Sequence, residues 1–186
     1  MVNEIVNLNA LYRENSKQDL EIVLFEVNSN PDNRGELIEN FKQSKLREVT
    51  KQDFIPKQQN LVLSKKHVFR GIHKSTTQNK LVSCLKGSII DITVDMRENS
   101  PNFGTIYIAR LTETDRFNLF VPKDFGHSYY CLSNNSLVSY LLDGEYETNF
   151  EQTWNARHII NRIKEIDQNK IVMSLKDLTA TNLFLE

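Results

Sequence analysis

The sequence predicts an all-β fold, either a closed barrel or a jelly roll, in a single domain. Short apolar runs separated by turn residues recur along the chain, all six glycines occupy turn-like contexts, and only segment 156–167 has a helical pattern. Many short strands favour these architectures because a closed sheet leaves few exposed edges. The 186 residues suit one domain, and no repeat or linker divides them. We therefore expect one domain over 1–186, with the polar segment 1–18 as a loosely held arm.

Seven segments have the composition of strands, namely 22–27, 81–85, 88–95, 106–111, 117–121, 128–132 and 137–142. Lys86-Gly87 predicts a hairpin between the second and the third of them. In the third strand, Asp91, Thr93 and Asp95 share one face. A buried row of carboxylates is costly, so we expect this face to be wet, paired with cations or lining a polar pocket.

The composition argues against several classes of function. The net charge of −1 provides no overall field for nucleic acid or a membrane, so an anionic ligand must be held by local groups. No run of 18 apolar residues predicts a membrane helix, and the first residues lack the pattern of a signal peptide. The two cysteines, Cys84 and Cys131, form no CxxC pair. Such sparse use of cysteine is typical of a reducing cytoplasm, where we expect the protein to work without disulfides.

Two of the four histidines are candidates for proton transfer. His73 and His127 each follow an apolar run and a glycine, where the backbone can approach a ligand closely. The alternative for each is a hydrogen-bonded structural histidine. A metal site in a barrel needs several histidines and a carboxylate, whereas Ser75 stands where a His-x-His pair would place its second member. Lys74 adds a positive charge between them, so we expect no metal.

Other polar side chains lie in or beside the predicted strands, namely the cations Arg34, Arg70 and Lys80 and the tyrosines Tyr129, Tyr130, Tyr140 and Tyr146. Arg70 lies three residues before His73, where its forked donors suit a pyrophosphate. Tyr140 lies in a strand, where a tyrosine most often packs in the core but in a pocket can donate a proton. The other tyrosines compete for this role on composition alone, and Asp177 has no signal of its own.

Eight short motifs follow one another along residues 22–177. They are Asp32-x-Arg34-Gly35 with Glu39 and Phe41, Arg70-Gly71-Ile72-His73, Lys80-Leu81-Val82, Lys86-Gly87 with Asp91 and Val94-Asp95-x-Arg97, Ser100-Pro101-x-Phe103-Gly104, Val121-Pro122 to Phe125-x-His127, the strand tyrosine Tyr140, and Ser174-x-Lys176-Asp177. Each motif is weak alone. Together, in this order and at these spacings, they resemble the dTDP-4-dehydrorhamnose 3,5-epimerase family, a branch of the cupin superfamily.

The resemblance implies a cupin jelly roll (a double-stranded β-helix) with an N-terminal strand arm and short C-terminal helical segments. It implies an isomerase without a cofactor that epimerises a nucleotide-linked 4-keto sugar at C3, C5 or both, in deoxysugar or heptose biosynthesis for surface polysaccharide. By position, the catalytic roles fall on the base His73, its partner Asp177, Lys80 beside the ketone oxygen and the general acid Tyr140. The substrate-contacting positions fall on Arg34, Glu39, Gln58, Asn60, Arg70, His127 and Tyr146. In the family, Arg34 would reach the neighbouring subunit's site, because N-terminal strands are exchanged in a homodimer.

The chain departs from the family's pattern at residues around the implied pocket, namely Lys74, Ser75, Gln59, Leu61, Ser83 and Phe117. These departures spare the four catalytic positions, so they indicate a different sugar, a different nucleotide or epimerisation at one carbon. Two other functions use a similar site. A 3,4-ketoisomerase would move the carbonyl of the same substrate class, and a sugar-binding or metal-binding cupin would have no epimerase activity.

Overall fold

The computed structural model describes residues 4–14, 21–147 and 151–183. The strands are β1 (Ile5–Asn7), β2 (Val23–Glu26), β3 (Asn28–Asp32), β4 (Gly35–Glu39), β5 (Gln58–Ser64), β6 (Phe69–Ser75), β7 (Lys80–Lys86), β8 (Ser88–Asp95), β9 (Ile106–Thr112), β10 (Phe117–Val121), β11 (Phe125–Cys131), β12 (Ser136–Leu142) and β13 (Glu151–Trp154). The helices are α1 (Leu8–Arg13), α2 (Gln43–Thr50), α3 (Arg157–Ile160) and α4 (Leu175–Thr179), with a 3-10 turn at Gln168–Lys170.

Most of the strands form two facing sheets. One has six strands in the order β1-β9-β8-β11-β6-β13, and the other has five in the order β2-β10-β7-β12-β5. Within them only β1 pairs in parallel, with β9, and the other pairings described are antiparallel. The strands β3 and β4 form a separate hairpin. Two facing sheets joined by crossing connections are a jelly roll, so the all-β prediction is confirmed.

The main core lies between the two sheets. Five side chains that are 0% exposed share one cluster there: Val82, Leu119 and Val138 of the five-stranded sheet and Ile89 and Tyr129 of the six-stranded sheet. These side chains alternate along their strands with residues of the other face, which is the pattern that predicted the strands. Burial of each contributes roughly 1.5–3 kcal/mol relative to exposure.

A second core covers the outer face of the six-stranded sheet. Ile159, Ile160 and Ile163, which follow β13, pack there with Ile92 and Tyr130. This packing fixes the C-terminal segment against the sheet and so determines where α4 lies. The short C-terminal helices expected from the resemblance are therefore present. The helical pattern of 156–167, however, yields only the single turn α3, followed by further turns.

The predicted hairpin at Lys86-Gly87 was wrong. The strands β7 and β8 lie in different sheets, so the chain passes at this point from one sheet to the other. Gly87 has a φ of +77°, and a Cβ there would lie 2.3 Å from the Ser133 side chain. Both constraints require glycine, and both suit a tight corner as well as a hairpin turn. A turn signal gives the position of a reversal but not the sheet in which the next strand pairs.

The N-terminal segment is held more firmly than predicted. Strand β1 pairs with β9, helix α1 follows it directly, and the Leu8 side chain is 4% exposed in the main core. The rest of the predicted arm, residues 1–3 and 15–18, lies outside the described residues. None of the helices in the described ranges is long and apolar enough to cross a membrane.

Candidate active site

A cavity of ≈ 200 Å³ opens between the two sheets. Residues from β5, β6, β7, β11, β12 and β13 and from the segments before β7 and β13 line it: Asn60, Val62, Arg70, Gly71, His73, Ser75, Gln78, Lys80, His127, Ser128, Tyr140, Leu142, Tyr146 and Glu151. Three of the four residues given catalytic roles by the resemblance therefore line one cavity. The fourth, Asp177, contacts one of them directly.

His73 lies between two carboxylates. Its Nδ1 is 3.0 Å from Oε1 of Glu151, and its Nε2 is 3.1 Å from Oδ1 of Asp177. Burial lowers the pKa of His73, but the hydrogen bonds to Asp177 and Glu151 outweigh burial and raise it above its ordinary value. Burial raises the pKa of the Glu151 and Asp177 carboxyls. The contacts with His73 outweigh burial and lower the pKa of each to about 2.

Asp177 reaches His73 because of two local features. Ser174 is the N-cap of α4: its Oγ accepts a hydrogen bond from the Asp177 amide at 3.1 Å and donates one to Asp177 Oδ2 at 2.8 Å. Gly71 lies opposite, where a Cβ would be 2.6 Å from Asp177 Oδ1. Gly71 lies inside β6 and Gly126 inside β11, so the prediction of a turn context was wrong for these two glycines. The lack of a side chain at Gly71 makes room for the carboxylate.

Lys80 and Tyr140 complete the implied catalytic group. Lys80 Nζ donates to the His73 carbonyl at 3.5 Å, and burial lowers the pKa of this lysine against the opposing effects of Glu151 and Asp91. Burial raises the pKa of Tyr140 well above its ordinary value, and the neighbouring Tyr129 and Asp91 add to the effect. Tyr140 therefore keeps its proton near neutral pH and can donate it.

The polar face of β8 is paired, as one of the sequence expectations stated. His127 Nε2 is 2.7 Å from Oδ2 of Asp91, and both side chains are buried. At the end of the strand, Asp95 binds Arg97 at 2.7 Å. The ring of His127 also meets the ring of Tyr140 edge to face, with centroids 5.5 Å apart. The pair formed by Asp91 and His127 thus supports the wall of the cavity beside Tyr140.

Most of the predicted substrate contacts are near the cavity. Arg70 lines it and donates to Ser64 Oγ at 3.1 Å. Gln58 lies behind the residues that line the cavity. Its Nε2 donates to Asn60 Oδ1 at 2.8 Å, and its Oε1 accepts from the Tyr146 amide at 2.7 Å. Gln58 therefore holds the wall residue Asn60 and the segment that carries Tyr146.

Arg34 and Glu39 are not at the cavity of this chain. They lie on the β3–β4 hairpin, where the Arg34 side chain is 85% exposed and pairs with Asp32 at 2.6 Å. Glu39 pairs with Lys42 at 3.3 Å and lines a small separate crevice. The single chain therefore does not bring these two predicted contacts to His73.

Sequence reasoning missed Glu151 and Gln78. Glu151 meets His73 because β13 pairs with β6, in a register that places Thr153 opposite His73, and no local pattern reveals this pairing. Gln78 is 4% exposed, lines the cavity, and its Oε1 has no hydrogen-bond partner among residues 4–14, 21–147 and 151–183. In those same ranges no group of three or more His, Cys, Asp or Glu side chains is placed to hold a metal ion.

Comparison with known proteins finds relatives along most of the chain. The family model described as dTDP-4-dehydrorhamnose 3,5-epimerase matches residues 19–184. The enzyme of that name from Mycolicibacterium smegmatis is 32% identical over 155 residues, which cover 82% of this chain and 76% of that one. The alignment with the Neisseria gonorrhoeae enzyme is shorter, 36% identical over 67% of this chain and 39% of that one.

Solved structures give the same result. The dTDP-6-deoxy-D-glucose-3,5-epimerase of Legionella pneumophila, in complex with dTDP-4-keto-L-rhamnose, superposes with a TM-score of 0.82 at 28% identity, covering 89% of this chain and 90% of that one. The 3,5-epimerase from Sulfolobus tokodaii gives 0.79 at 31%, covering 90% and 93%. The fold and these relatives define a cupin-type epimerase, an enzyme of the isomerase class. More narrowly, the chain belongs to the dTDP-4-dehydrorhamnose 3,5-epimerase family.

Gly71→Ala should displace Asp177 from His73. The added Cβ overlaps the carboxylate, so we expect a loss of about 1–3 kcal/mol in the free energy of unfolding and a lower pKa of His73. Gly126→Ala is the control, because its Cβ would overlap only Ile72 and Met96. It should destabilise the fold without changing the His73 titration. Denaturant unfolding and NMR titration measure both quantities, and equal His73 titrations in the two variants would contradict this account.

Proposed function

We propose that this chain epimerises a nucleoside-diphosphate-linked 4-keto sugar at C3, C5 or both, using His73 as base and Tyr140 as acid. The observation that carries the proposal is that the side chains of His73, Lys80 and Tyr140 line one cavity, with Asp177 against the imidazole. The Legionella relative binds dTDP-4-keto-L-rhamnose, which supports this substrate class. The two cysteines are free and buried, which supports a protein that works on such a substrate in the cytoplasm.

The chemistry follows from charge. A proton next to a ketone is too weakly acidic for imidazole unless the enolate oxygen that forms meets a fixed positive charge, which is worth several kcal/mol. The Lys80 ammonium supplies that charge. His73 takes the proton from one face of the ring, and Asp177 stabilises the resulting imidazolium. Tyr140 gives its proton to the carbon from the opposite face, which inverts that carbon, and the tyrosinate regains a proton from solvent.

Both carbons are accessible to the same pair of groups. The C4 carbonyl acidifies C3 and C5 alike, so one base and one acid can serve each carbon in turn. Arg70, on the cavity wall, would bind the phosphates through its forked donors. The reaction changes no oxidation state and needs no redox cofactor.

Incubation in heavy water tests the reaction. With dTDP-, GDP- and CDP-linked 4-keto-6-deoxy sugars as alternatives, the wild type should add one or two deuterons to at least one of them. His73→Ala should exchange roughly 10²–10⁴-fold more slowly, the usual contribution of a general base. Tyr140→Phe should still exchange deuterium but give little inverted product, because the base remains and the acid is lost.

Mass spectrometry counts the deuterons, and NMR of the product gives their positions. Unchanged mass of all three sugars with the wild type would overturn the proposal. Label in a product whose carbonyl has moved to C3 would indicate a 3,4-ketoisomerase instead. Full inversion by Tyr140→Phe would assign the acid to another group.

Gln78 is proposed to bind a sugar hydroxyl. A buried acceptor without a donor costs about 1–3 kcal/mol, so its amide suits a ligand that brings an O–H into the cavity. A 4-keto-6-deoxy sugar carries one hydroxyl on the reacting carbon C3 and another on the adjacent carbon C2. Loss of this contact should therefore weaken binding of substrates that carry the hydroxyl.

Gln78→Leu should raise KM for the hydroxylated substrate by about 5–150-fold, the equivalent of 1–3 kcal/mol. The control is chemical: for the matching 2-deoxy or 3-deoxy analogue, KM of the variant and of the wild type should agree within a few-fold. Initial rates of epimerisation measure the four values. The same KM penalty with both deoxy analogues would show that Gln78 acts through the shape of the cavity instead.

The working enzyme is proposed to be a homodimer that exchanges its N-terminal strands. Two residues given substrate contacts by the resemblance, Arg34 and Glu39, lie away from this chain's own cavity on an exposed hairpin. Strand β5 is an edge of the five-stranded sheet, and its outward Leu61 and Leu63 are 58% and 64% exposed. An apolar edge strand of this kind usually pairs or is covered.

Light scattering after size exclusion should give about 43 kDa, twice the 21.7 kDa of the chain. The double variant Leu61→Glu and Leu63→Glu should reduce this value toward the mass of one chain, because the charges cannot be buried in an interface. Val172→Glu, at an exposed site outside β5, is the control and should leave the mass unchanged. A wild type of about 22 kDa would contradict the dimer.

A further inference from the structure

Glu151 lines the cavity and contacts Nδ1 of His73. The two carboxylates approach opposite nitrogens of the ring, at 3.0 Å for Glu151 and 3.1 Å for Asp177. A neutral imidazole has one N–H, so it can donate to only one of them, whereas an imidazolium donates to both. A carboxylate oxygen lies close to each ring nitrogen, an arrangement that therefore favours protonated His73. In that form His73 has no lone pair with which to remove a proton.

The two carboxylates differ in how they are held. Asp177 is 5% exposed, capped by Ser174 and packed directly against Gly71, so it has no room to leave. Glu151 lies on the cavity wall, and its Oε1 also accepts from Lys176 Nζ at 3.0 Å and from the Tyr146 hydroxyl at 3.2 Å. Glu151 can therefore leave the ring and still have charged and neutral donors. It is the movable partner of the pair.

Other charged or titratable groups face this pair from each neighbouring element: Arg70 on β6, Lys80 on β7, Asp91 on β8, His127 on β11, Tyr140 on β12 and Lys176 on α4. The cations among them oppose a positive charge on His73. Only Glu151 and Asp177 lie within hydrogen-bonding distance of its ring nitrogens among the ionisable groups of the described chain. The charge of His73 therefore depends chiefly on these two carboxylates.

We propose that Glu151 is a positioning residue that keeps His73 as an imidazolium in the empty site and releases it when a substrate binds. On binding, the Nδ1 proton passes to solvent, Glu151 stays ionised on Lys176, and the freed Nδ1 lone pair faces the ring of the sugar. One proton is released for each substrate bound. The proposal deepens the proposed function, but its first half concerns the empty protein and does not depend on the substrate.

NMR of the histidine rings tests that first half. The His73 signals are assigned by their loss in His73→Ala, and their titration is followed without ligand. Glu151→Gln should lower the titration midpoint by at least one pH unit, whereas Glu145→Gln, at an exposed position in the preceding segment, should leave it unchanged. An unchanged midpoint in Glu151→Gln would overturn the proposal, whatever the enzyme's substrate.

Kinetics test the second half. The acid limb of kcat/KM against pH reports the base in the free enzyme. Because Glu151 raises the pH at which His73 loses its proton, the limb should move to lower pH in Glu151→Gln, by the same amount as the NMR midpoint. A merely structural role would lower the rate at all pH values and leave the limb in place, which would contradict the proposal.

The variant Lys176→Met tests the release of His73 by Glu151 separately from the charge of His73 in the free protein. This variant removes the cation that receives Glu151, so KM should rise several-fold while kcat changes little. Equal KM values for Lys176→Met and the wild type would contradict the proposed movement. If no sugar gains deuterium but the NMR midpoint moves as expected, the proposed function fails while the control of His73 by Glu151 stands. If deuterium is gained and the midpoint does not move, the proposed function stands and the control of His73 by Glu151 fails.

Discussion

The contact between His73 and Asp177 is the constraint on which the rest of the site depends. It joins a strand of the six-stranded sheet to a helix near the end of the chain, and it forms only because Gly71 has no side chain. The N-cap Ser174 fixes the carboxylate. With this pair in place, Lys80 and Tyr140 face the same space from the opposite sheet. The jelly roll thus brings together groups that are distant in sequence.

The sequence predicts seven of the eleven strands of the two main sheets, and it predicts their partners poorly. Segments such as 117–121 and 137–142 are apolar on one face, and the structure has strands there. Strand β5 was missed because polar residues occupy both faces of its first half. Lys86-Gly87 predicts a hairpin instead of the observed corner because local turn chemistry does not specify which sheet the next strand joins. Pairing between distant segments depends on tertiary packing, which short patterns do not encode.

The site was predictable where residues carry their own signal or belong to a motif. His73 and His127 were identified as candidates from glycine and strand context, and the family motifs added Lys80, Tyr140 and Asp177. Glu151 has neither kind of signal. It reaches the imidazole through the register of β13 on β6 and was found only from the fold. Residues brought in by a non-local strand are the ones that sequence reasoning misses.

Helix α4 ties the proposed chemistry to one short helix. It has only five residues, yet two consecutive ones reach the site: Asp177 contacts the proposed base His73, and Lys176 contacts Glu151. Short terminal helices open locally with little free energy, long before a β core unfolds. Local opening of this one turn would therefore remove Asp177 from His73 and inactivate the site in an otherwise folded molecule. Heat inactivation of the enzyme would then precede its melting.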